Sequence, residues 1–222
     1  MRLACLNRLV RFGVVLGALS CGSGGGGTTP PGPPVDLLKH AAGDNQSWYF
    51  NNPLPTALSV TAVDVDGRAV PNVVVTWAVT TANGGSVNPL QSTTDANGIA
   101  TTTDSISSVT LQKVSATFSG LAGPVTFTEI ATTPPTSAAV SVDDDHFTPQ
   151  NSVVHTGGTV TWNWTGTNVH NLTFTFGPTP LPANHIDGGN GTTTQRTITA
   201  VGTYNYTCTN HAGMNGTVAV VH

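Results

Sequence analysis

Near the end of this 222-residue chain, a thiol, an imidazole and a thioether follow one another at three-residue steps, as Cys208, His211 and Met214. Met214 is the only methionine besides the initiator, and Cys208 is the only cysteine beyond position 21. Upstream, His170 opens an alternating apolar stretch. Two imidazoles and a thiolate with a weak axial thioether are the donors of a blue, type 1 copper site. The residue types therefore indicate copper binding.

These residues must be positioned by β-strands, because apolar residues alternate with polar ones in several stretches of the chain. One predicted strand ends at Cys208, and a short loop then carries His211 and Met214 to the next strand. The dipeptides Asp66-Gly67 and Asn97-Gly98 are typical of hairpin turns. The predicted buried faces are Val73, Val75, Trp77 and Val79; Val160, Trp162 and Trp164; Leu172, Phe174 and Phe176; and Tyr204, Tyr206 and Cys208.

The composition supports an all-β fold and excludes one class of function. Charged residues make up 8% of the chain, with a single Glu and two Lys, whereas surface helices are usually rich in both. Three of the seven basic residues lie in the first eleven positions. If this segment is removed, the net charge becomes 4 − 11 = −7. A basic face for nucleic acid is therefore excluded as the main function, and we expect no nucleic-acid partner.

Residues 138–222 resemble a cupredoxin of the plastocyanin and amicyanin type, a Greek-key β-sandwich with one type 1 copper ion. The resemblance implies that His170, Cys208, His211 and Met214 are the copper ligands. It also implies that the side chain of Asn171 ties the two ligand-bearing segments together. The matching motifs, in order, are Val140-x-Val142, Phe147-Thr-Pro149, Gly157 to Trp164, Val169-His170-Asn171, Gly202-Thr-Tyr-x-Tyr206 and the Cys-x2-His-x2-Met loop.

The same resemblance implies single-electron transfer, with the electron leaving through the edge of His211 inside an apolar patch. Candidates for that patch are Ala212 and Gly213, together with Pro180, Leu181 and Pro182. The partners would be redox proteins, a cytochrome or a dehydrogenase or reductase, in weak and transient contact. A fully ligated copper leaves no open position for a substrate, so we expect no enzyme activity.

Residues 35–133 resemble a bacterial immunoglobulin-like domain of the invasin and intimin type. The run from Val63 to Trp77 and the run from Thr93 to Ala100 carry much of this resemblance. We interpret Asp64-x-Asp66-Gly67 as a simple turn, because the downstream Glu of a calcium loop is missing. The predicted organisation is therefore two β-sandwiches, with the cupredoxin domain at 137–222.

The N-terminus has the features of an export signal. Three arginines precede an apolar run of eight residues, which is too short to span a membrane, so residues 1–20 are predicted to be a signal peptide. Cys21 follows in a lipobox-like context and is the candidate lipidation site, although Ala-x-Ser also suits ordinary cleavage. Residues 21–34 would then be the anchor site and a Gly/Pro-rich linker. We expect an extracytoplasmic, membrane-anchored lipoprotein facing the periplasm or the cell surface, with the outer membrane favoured.

The sequence also allows two other functions. The protein could capture or store copper at the cell surface, or it could be an adhesin-like surface protein without redox turnover. The acidic run Asp143-Asp144-Asp145 is interpreted as a solvated turn. The histidines outside the proposed ligand set are interpreted as surface residues: His40, His146, His155, His185 and His222.

Overall fold

The structure is a computed structural model that describes residues 29–222, apart from the side chains of Ile186 and Asp187. The predicted signal peptide and Cys21 lie outside the described residues. Within them, Pro31–His222 forms one compact unit that is built from strands, with one short 3-10 turn at Ala41–Gly43. No helix in the described part of the chain is long and apolar enough to cross a membrane. The expected all-β fold of two sandwiches is confirmed.

The first sandwich consists of a four-stranded and a five-stranded sheet. Its strands are β1 (Asp36–Lys39), β2 (Ser47–Tyr49), β3 (Leu58–Val63), β4 (Val74–Val79), β5 (Ser86–Asn88), β6 (Gln91–Thr93), β7 (Ile99–Ser105), β8 (Leu111–Thr117) and β9 (Val125–Thr132). The strand orders are β1-β3-β7-β5 and β2-β9-β8-β4-β6. Residues of both sheets, among them Val60, Val75, Trp77 and Phe127, share one buried core.

The second sandwich has the same layer plan. Its strands are β10 (Ser137–Asp143), β11 (His146–Thr148), β12 (Asn151–His155), β13 (Gly158–Trp164), β14 (His170–Phe176), β15 (His185–Gly188), β16 (Thr193–Ile198), β17 (Gly202–Thr207) and β18 (Asn215–Val221). The orders are β11-β10-β13-β16 and β12-β18-β17-β14-β15. Parallel pairing of β10 with β13 brings the end of β10 beside the end of β13.

Alternation places the predicted faces inside, with one exception. Val160, Trp162 and Trp164 are buried, and the intervening positions of β13 are partly open. Phe176 was expected to share the buried face of Phe174, but its side chain is 65% exposed. The register between β14 and β17 shifts between these two residues. Such an irregularity breaks the period-two alternation, so the prediction for Phe176 is wrong.

Both Gly-containing dipeptides form turns, but only the first joins adjacent segments of one sheet. Gly67 and Gly98 have positive φ angles of 78° and 72°, which glycine adopts without strain. The Asn97-Gly98 turn leads from β6 to β7, and these strands pair with different partners in different sheets. It is therefore a crossover between sheets and not a hairpin.

Asp64 organises the other turn. Its carboxylate accepts hydrogen bonds from the backbone N–H groups of Gly32, Asp66 and Arg68 at 2.8–2.9 Å. These bonds, that from Gly32 foremost, lower the pKa of Asp64. Both carboxylate oxygens are thus used by the backbone, as expected for a turn rather than a calcium loop.

Candidate metal centre

His170 is the first residue of β14, and its side chain is fully buried. The indole N–H of Trp164 donates to the backbone carbonyl of His170 at 3.3 Å, so β13 supports the start of β14. Gly188 pairs with His170 from β15 and lets the indole approach closely. A Cβ atom at position 188 would lie 1.9 Å from the Trp164 ring. The sandwich core therefore fixes the backbone that carries this imidazole.

The other three predicted ligands lie in one closed loop between β17 and β18. The backbone N–H of Cys208 donates to the carbonyl of Met214 at 3.0 Å, and that of Met214 donates to the carbonyl of His211 at 3.3 Å. The hydroxyl of Thr207 also donates to the carbonyl of Met214 at 2.9 Å. Cys208 and Met214 are buried in the core of the second sandwich. Seven residues thus form a compact turn whose ends are held together by hydrogen bonds.

The donor atoms of three predicted ligands converge. Cys208 Sγ lies 3.8 Å from His170 Nδ1 and 3.5 Å from His211 Nδ1, and each of the three residues offers a ligand atom within 4.8 Å of the others. Donors about 2.0–2.3 Å from one ion would be separated by about 3.3–4.0 Å. A thiolate with two imidazoles, and no carboxylate, suits copper. The set fits one type 1 copper ion.

Asn171 connects the two segments that carry these donors. Its side-chain amide donates to Thr209 Oγ1 at 2.7 Å, and its side-chain carbonyl accepts from the Thr209 backbone N–H at 3.0 Å. Its own backbone N–H points at Cys208 Sγ, at 3.4 Å. The tie that the resemblance implied is therefore present in the geometry. The backbone N–H also directs the partial positive charge of its hydrogen at the sulfur.

Two residues of the acidic run Asp143-Asp144-Asp145 face the imidazoles of His170 and His211. The interpretation of this run as a solvated turn did not predict these contacts. Asp144 Oδ1 is 3.6 Å from His170 Nε2, and Asp145 Oδ1 is 3.5 Å from His211 Nε2. The backbone N–H of Asn168 and the hydroxyl of Thr167 lower the pKa of Asp144 to about 2. Asp144 is therefore an anion at neutral pH. The run begins at the last residue of β10 and continues into the turn that follows, and the pairing of β10 with β13 brings it to the site.

The edge of the His211 imidazole is the solvent-exposed side of the donor cluster of His170, Cys208 and His211. The His211 side chain is 25% exposed, and Ala212 and Gly213 beside it are exposed. Val169 is also exposed, and its carbonyl accepts from the Asn210 side chain at 3.0 Å, which places it next to this loop. Val169 was not among the predicted patch residues. Its position directly before His170 is the signal that could have identified it.

The predicted proline-containing part of the patch lies elsewhere. Pro180, Leu181 and Pro182 line a surface cavity with Ala200 and Tyr204. Tyr204 precedes Cys208 by four extended residues, a distance of about 13 Å along the strand. The expectation that these three residues surround His211 is therefore wrong.

None of the remaining histidines among the described residues belongs to the donor cluster. His146 and His222 are exposed, as expected of surface residues. His40 and His155 are partly buried, and His40 Nε2 lies 2.7 Å from the hydroxyl of Thr61. His185 is also partly buried, and its ring packs on Trp164 at a centroid distance of 4.9 Å.

The second β-sandwich carries a buried thiol and two converging imidazoles at one end, and this donor set suits a copper-binding domain. In agreement, residues 136–221 match the family described as copper binding proteins, plastocyanin/azurin family. Comparison with curated proteins gives no match.

Solved structures that are similar to part of the chain include the following three. A purple cupredoxin from Nitrosopumilus maritimus is 22% identical, covers 38% of this chain and 99% of its own, and has a TM-score of 0.35. A reduced Cu(I) form of an amicyanin mutant is 28% identical over 38% of this chain and 82% of its own, with a TM-score of 0.36. A mutant fern plastocyanin is 25% identical over 37% of this chain and 99% of its own, with a TM-score of 0.33.

Proposed function

We propose that this protein is a one-electron carrier. The observation that carries the proposal is the asymmetric burial of the donor set. His170 and Cys208 are enclosed, whereas the ring of His211 reaches the surface beside exposed apolar residues. Such a site has one exposed imidazole edge through which an electron can leave, and its thiol and its other imidazole are closed to a substrate. We therefore propose that the protein has no enzyme activity of its own.

The residues of the chain hold the site and keep water out. When bound, copper supplies a Cu(II)/Cu(I) couple that accepts and releases one electron. His170 is fixed by the strand that carries it, and Cys208 is fixed by the closed loop. The backbone N–H of Asn171 stabilises the negative charge on Cys208 Sγ. Because these supports do not depend on a flexible segment, the donors need move little when the charge changes.

We propose redox proteins as partners, a cytochrome or a dehydrogenase or reductase, which dock at the edge of His211. Val169, Ala212 and Gly213 form a small exposed apolar surface around that edge. Weak electron-transfer contacts bury little area and dissociate quickly, which suits a surface of this size.

Voltammetry of the copper-loaded protein tests the proposal. We expect a reversible one-electron couple and rapid electron exchange with a soluble cytochrome. Copper capture is the competing function, and it predicts very tight Cu(I) binding with poor cycling. A protein that binds copper but shows no reversible couple would contradict the carrier proposal.

We propose Met214 as the axial ligand, because its side chain is buried in the core that Cys208 shares. Met214→Leu keeps the volume and the apolar character of the position. The thioether stabilises Cu(II) more than Cu(I), so its loss should raise the reduction potential by at least about 60 mV, a tenfold change in the one-electron equilibrium. The blue colour should persist. A lowered or unchanged potential in voltammetry would exclude Met214 as axial ligand.

We further propose that the first sandwich is an immunoglobulin-like spacer and that Cys21 carries lipid after export. The motifs of the first domain and the Gly/Pro-rich stretch after Cys21 support this arrangement. The spacer would hold the copper domain away from the membrane, at the periplasmic or outer face.

Cys21→Ala should move the protein from the membrane fraction to the soluble fraction, because one lipid-bearing residue provides the proposed anchor. Fractionation followed by immunoblotting measures the distribution. Ser23→Ala, two residues along the same segment, is the matched control and should remain in the membrane. Equal distributions of the Cys21 variant and the wild type would support ordinary signal-peptide cleavage instead.

A further inference from the structure

The imidazole of His170 has two nitrogens with very different surroundings. Nδ1 faces Cys208 Sγ at 3.8 Å. Nε2 is buried and has no hydrogen-bond partner among the described residues. The charged atom that faces it is Asp144 Oδ1, at 3.6 Å, slightly beyond hydrogen-bond length. A buried ring nitrogen that carries a proton requires an acceptor, and Asp144 is the group placed to provide one.

Asp144 is itself held in place. Its Oδ1 accepts the backbone N–H of Asn168 at 2.8 Å, and its Oδ2 accepts the hydroxyl of Thr167 at 2.7 Å. Both donors belong to the segment that leads directly into His170. The carboxylate is thus anchored to the same loop whose imidazole it faces.

We propose that Asp144 is a positioning residue for His170, whose carboxylate selects the tautomer with the proton on Nε2. Nδ1 then carries no proton, so its lone pair is available to a metal on the Cys208 side of the site. A carboxylate behind a ligand imidazole also makes that imidazole a stronger donor. The selection operates in the metal-free protein, and its effect on copper rests on the proposed function.

The two neighbouring acids, Asp143 and Asp145, are less suited than Asp144 to position a proposed ligand. Asp145 faces His211, but its side chain is 68% exposed against 42% for Asp144, so water screens its charge more strongly. Asp143 faces His146, which is not in the donor set, with 3.5 Å between Oδ2 and Nε2. Asp143 therefore provides a control with the same charge, in the same acidic run, without contact to a proposed ligand.

The first test uses the metal-free, reduced full chain and nitrogen-15 NMR of the histidine rings at neutral pH. In the wild type, His170 should be in the Nε2–H form. In Asp144→Leu, which has no acceptor, the ratio of Nε2–H to Nδ1–H should fall severalfold. Asp143→Leu removes the acid that faces His146 and no proposed ligand, so its ratio should match the wild type. An unchanged ratio in a folded Asp144→Leu protein would overturn the proposal.

Asp144→Asn covers the case in which Asp144→Leu does not fold. Its amide oxygen can still accept the Asn168 N–H, so the loop is retained while the charge is lost. A weaker acceptor should lower the Nε2–H ratio by less than the leucine does, but in the same direction. A ratio equal to that of the wild type would contradict a role for the carboxylate charge.

The second test measures reduction potentials of the copper-loaded proteins. Loss of the negative charge should favour Cu(I), so Asp144→Asn should raise the potential, with each tenfold change in the equilibrium corresponding to ~59 mV. The rise should exceed that of Asp143→Asn severalfold. Equal shifts in the two variants would overturn the specific role of Asp144. If the wild type bound no copper, the proposed function would fail, while the tautomer measurement would still decide the inference.

Discussion

Replacing Cys208 by serine is expected to abolish the intense visible absorption of the copper-loaded protein. The colour of a type 1 site comes from charge transfer between a thiolate and Cu(II), and serine provides only a hydroxyl that stays protonated at neutral pH. Serine is nearly the size of cysteine, so the buried position should still be filled. Absorption spectra of both proteins after addition of Cu(II) measure the effect. A strongly blue serine variant would remove Cys208 from the site.

Thr209→Ser is the matched control, because it changes the next residue of the same loop and keeps the hydroxyl. That hydroxyl accepts the hydrogen bond from the Asn171 side chain. The control should therefore bind copper and remain blue. Loss of colour in both variants would indicate damage to the loop rather than loss of a ligand.

Raising the pH from about 4 to about 7 is expected to lower the free energy of unfolding of the first sandwich. Asp104 and Glu129 are fully buried, and neither oxygen of Asp104 has a hydrogen-bond partner among the described residues. Burial raises the pKa of Asp104 to about 6. Burial, with smaller contributions from the charges of Asp104 and Asp44, raises the pKa of Glu129 to about 7.

The sign follows from proton binding. Above about pH 4 the unfolded chain has released these two protons, whereas the folded chain keeps them until pH 6–7. The unfolded state therefore binds fewer protons in this window, and stability falls as pH rises. Since one pKa unit corresponds to ~1.4 kcal/mol, the total loss is on the order of a few kcal/mol.

Urea unfolding between pH 4 and 8 measures this effect. The double variant Asp104→Asn with Glu129→Gln replaces both acids by neutral groups of similar shape, so it should flatten the pH dependence. Asp36→Asn, at an exposed position of β1, should leave the wild-type slope unchanged. A double variant that keeps the full slope would show that other groups cause it.

Period-two alternation was sufficient to predict much of the fold. It placed Val160, Trp162 and Trp164 on a buried face, because each strand of a sandwich turns one face to the core. It failed at Phe176, where a register shift follows Phe174. A bulge depends on the pairing of two strands distant in sequence, so the local pattern contains no trace of it. For the same reason, the Asn97-Gly98 turn could be predicted, but not the sheets that it joins.

The donor cluster was predictable from residue types, because the cysteine and the methionine of the loop are nearly unique in the chain. The contact between Asp144 and His170 could not be predicted from the residue types. These residues lie 26 positions apart and meet only because β10 and β13 run parallel and end together. Three consecutive acids are common on protein surfaces, so the run itself gave no reason to place one of them behind a ligand.

The close approach of Trp164 to Gly188 restricts which substitutions this chain can accept during evolution. Position 188 has no sequence link to the Cys-x2-His-x2-Met loop, yet any side chain there would overlap the indole that holds the His170 carbonyl. Gly189, its neighbour, faces open space and carries no such restriction. Divergent descendants of this sequence could therefore replace Gly189 and keep the centre, provided that glycine 188 is inherited together with the tryptophan.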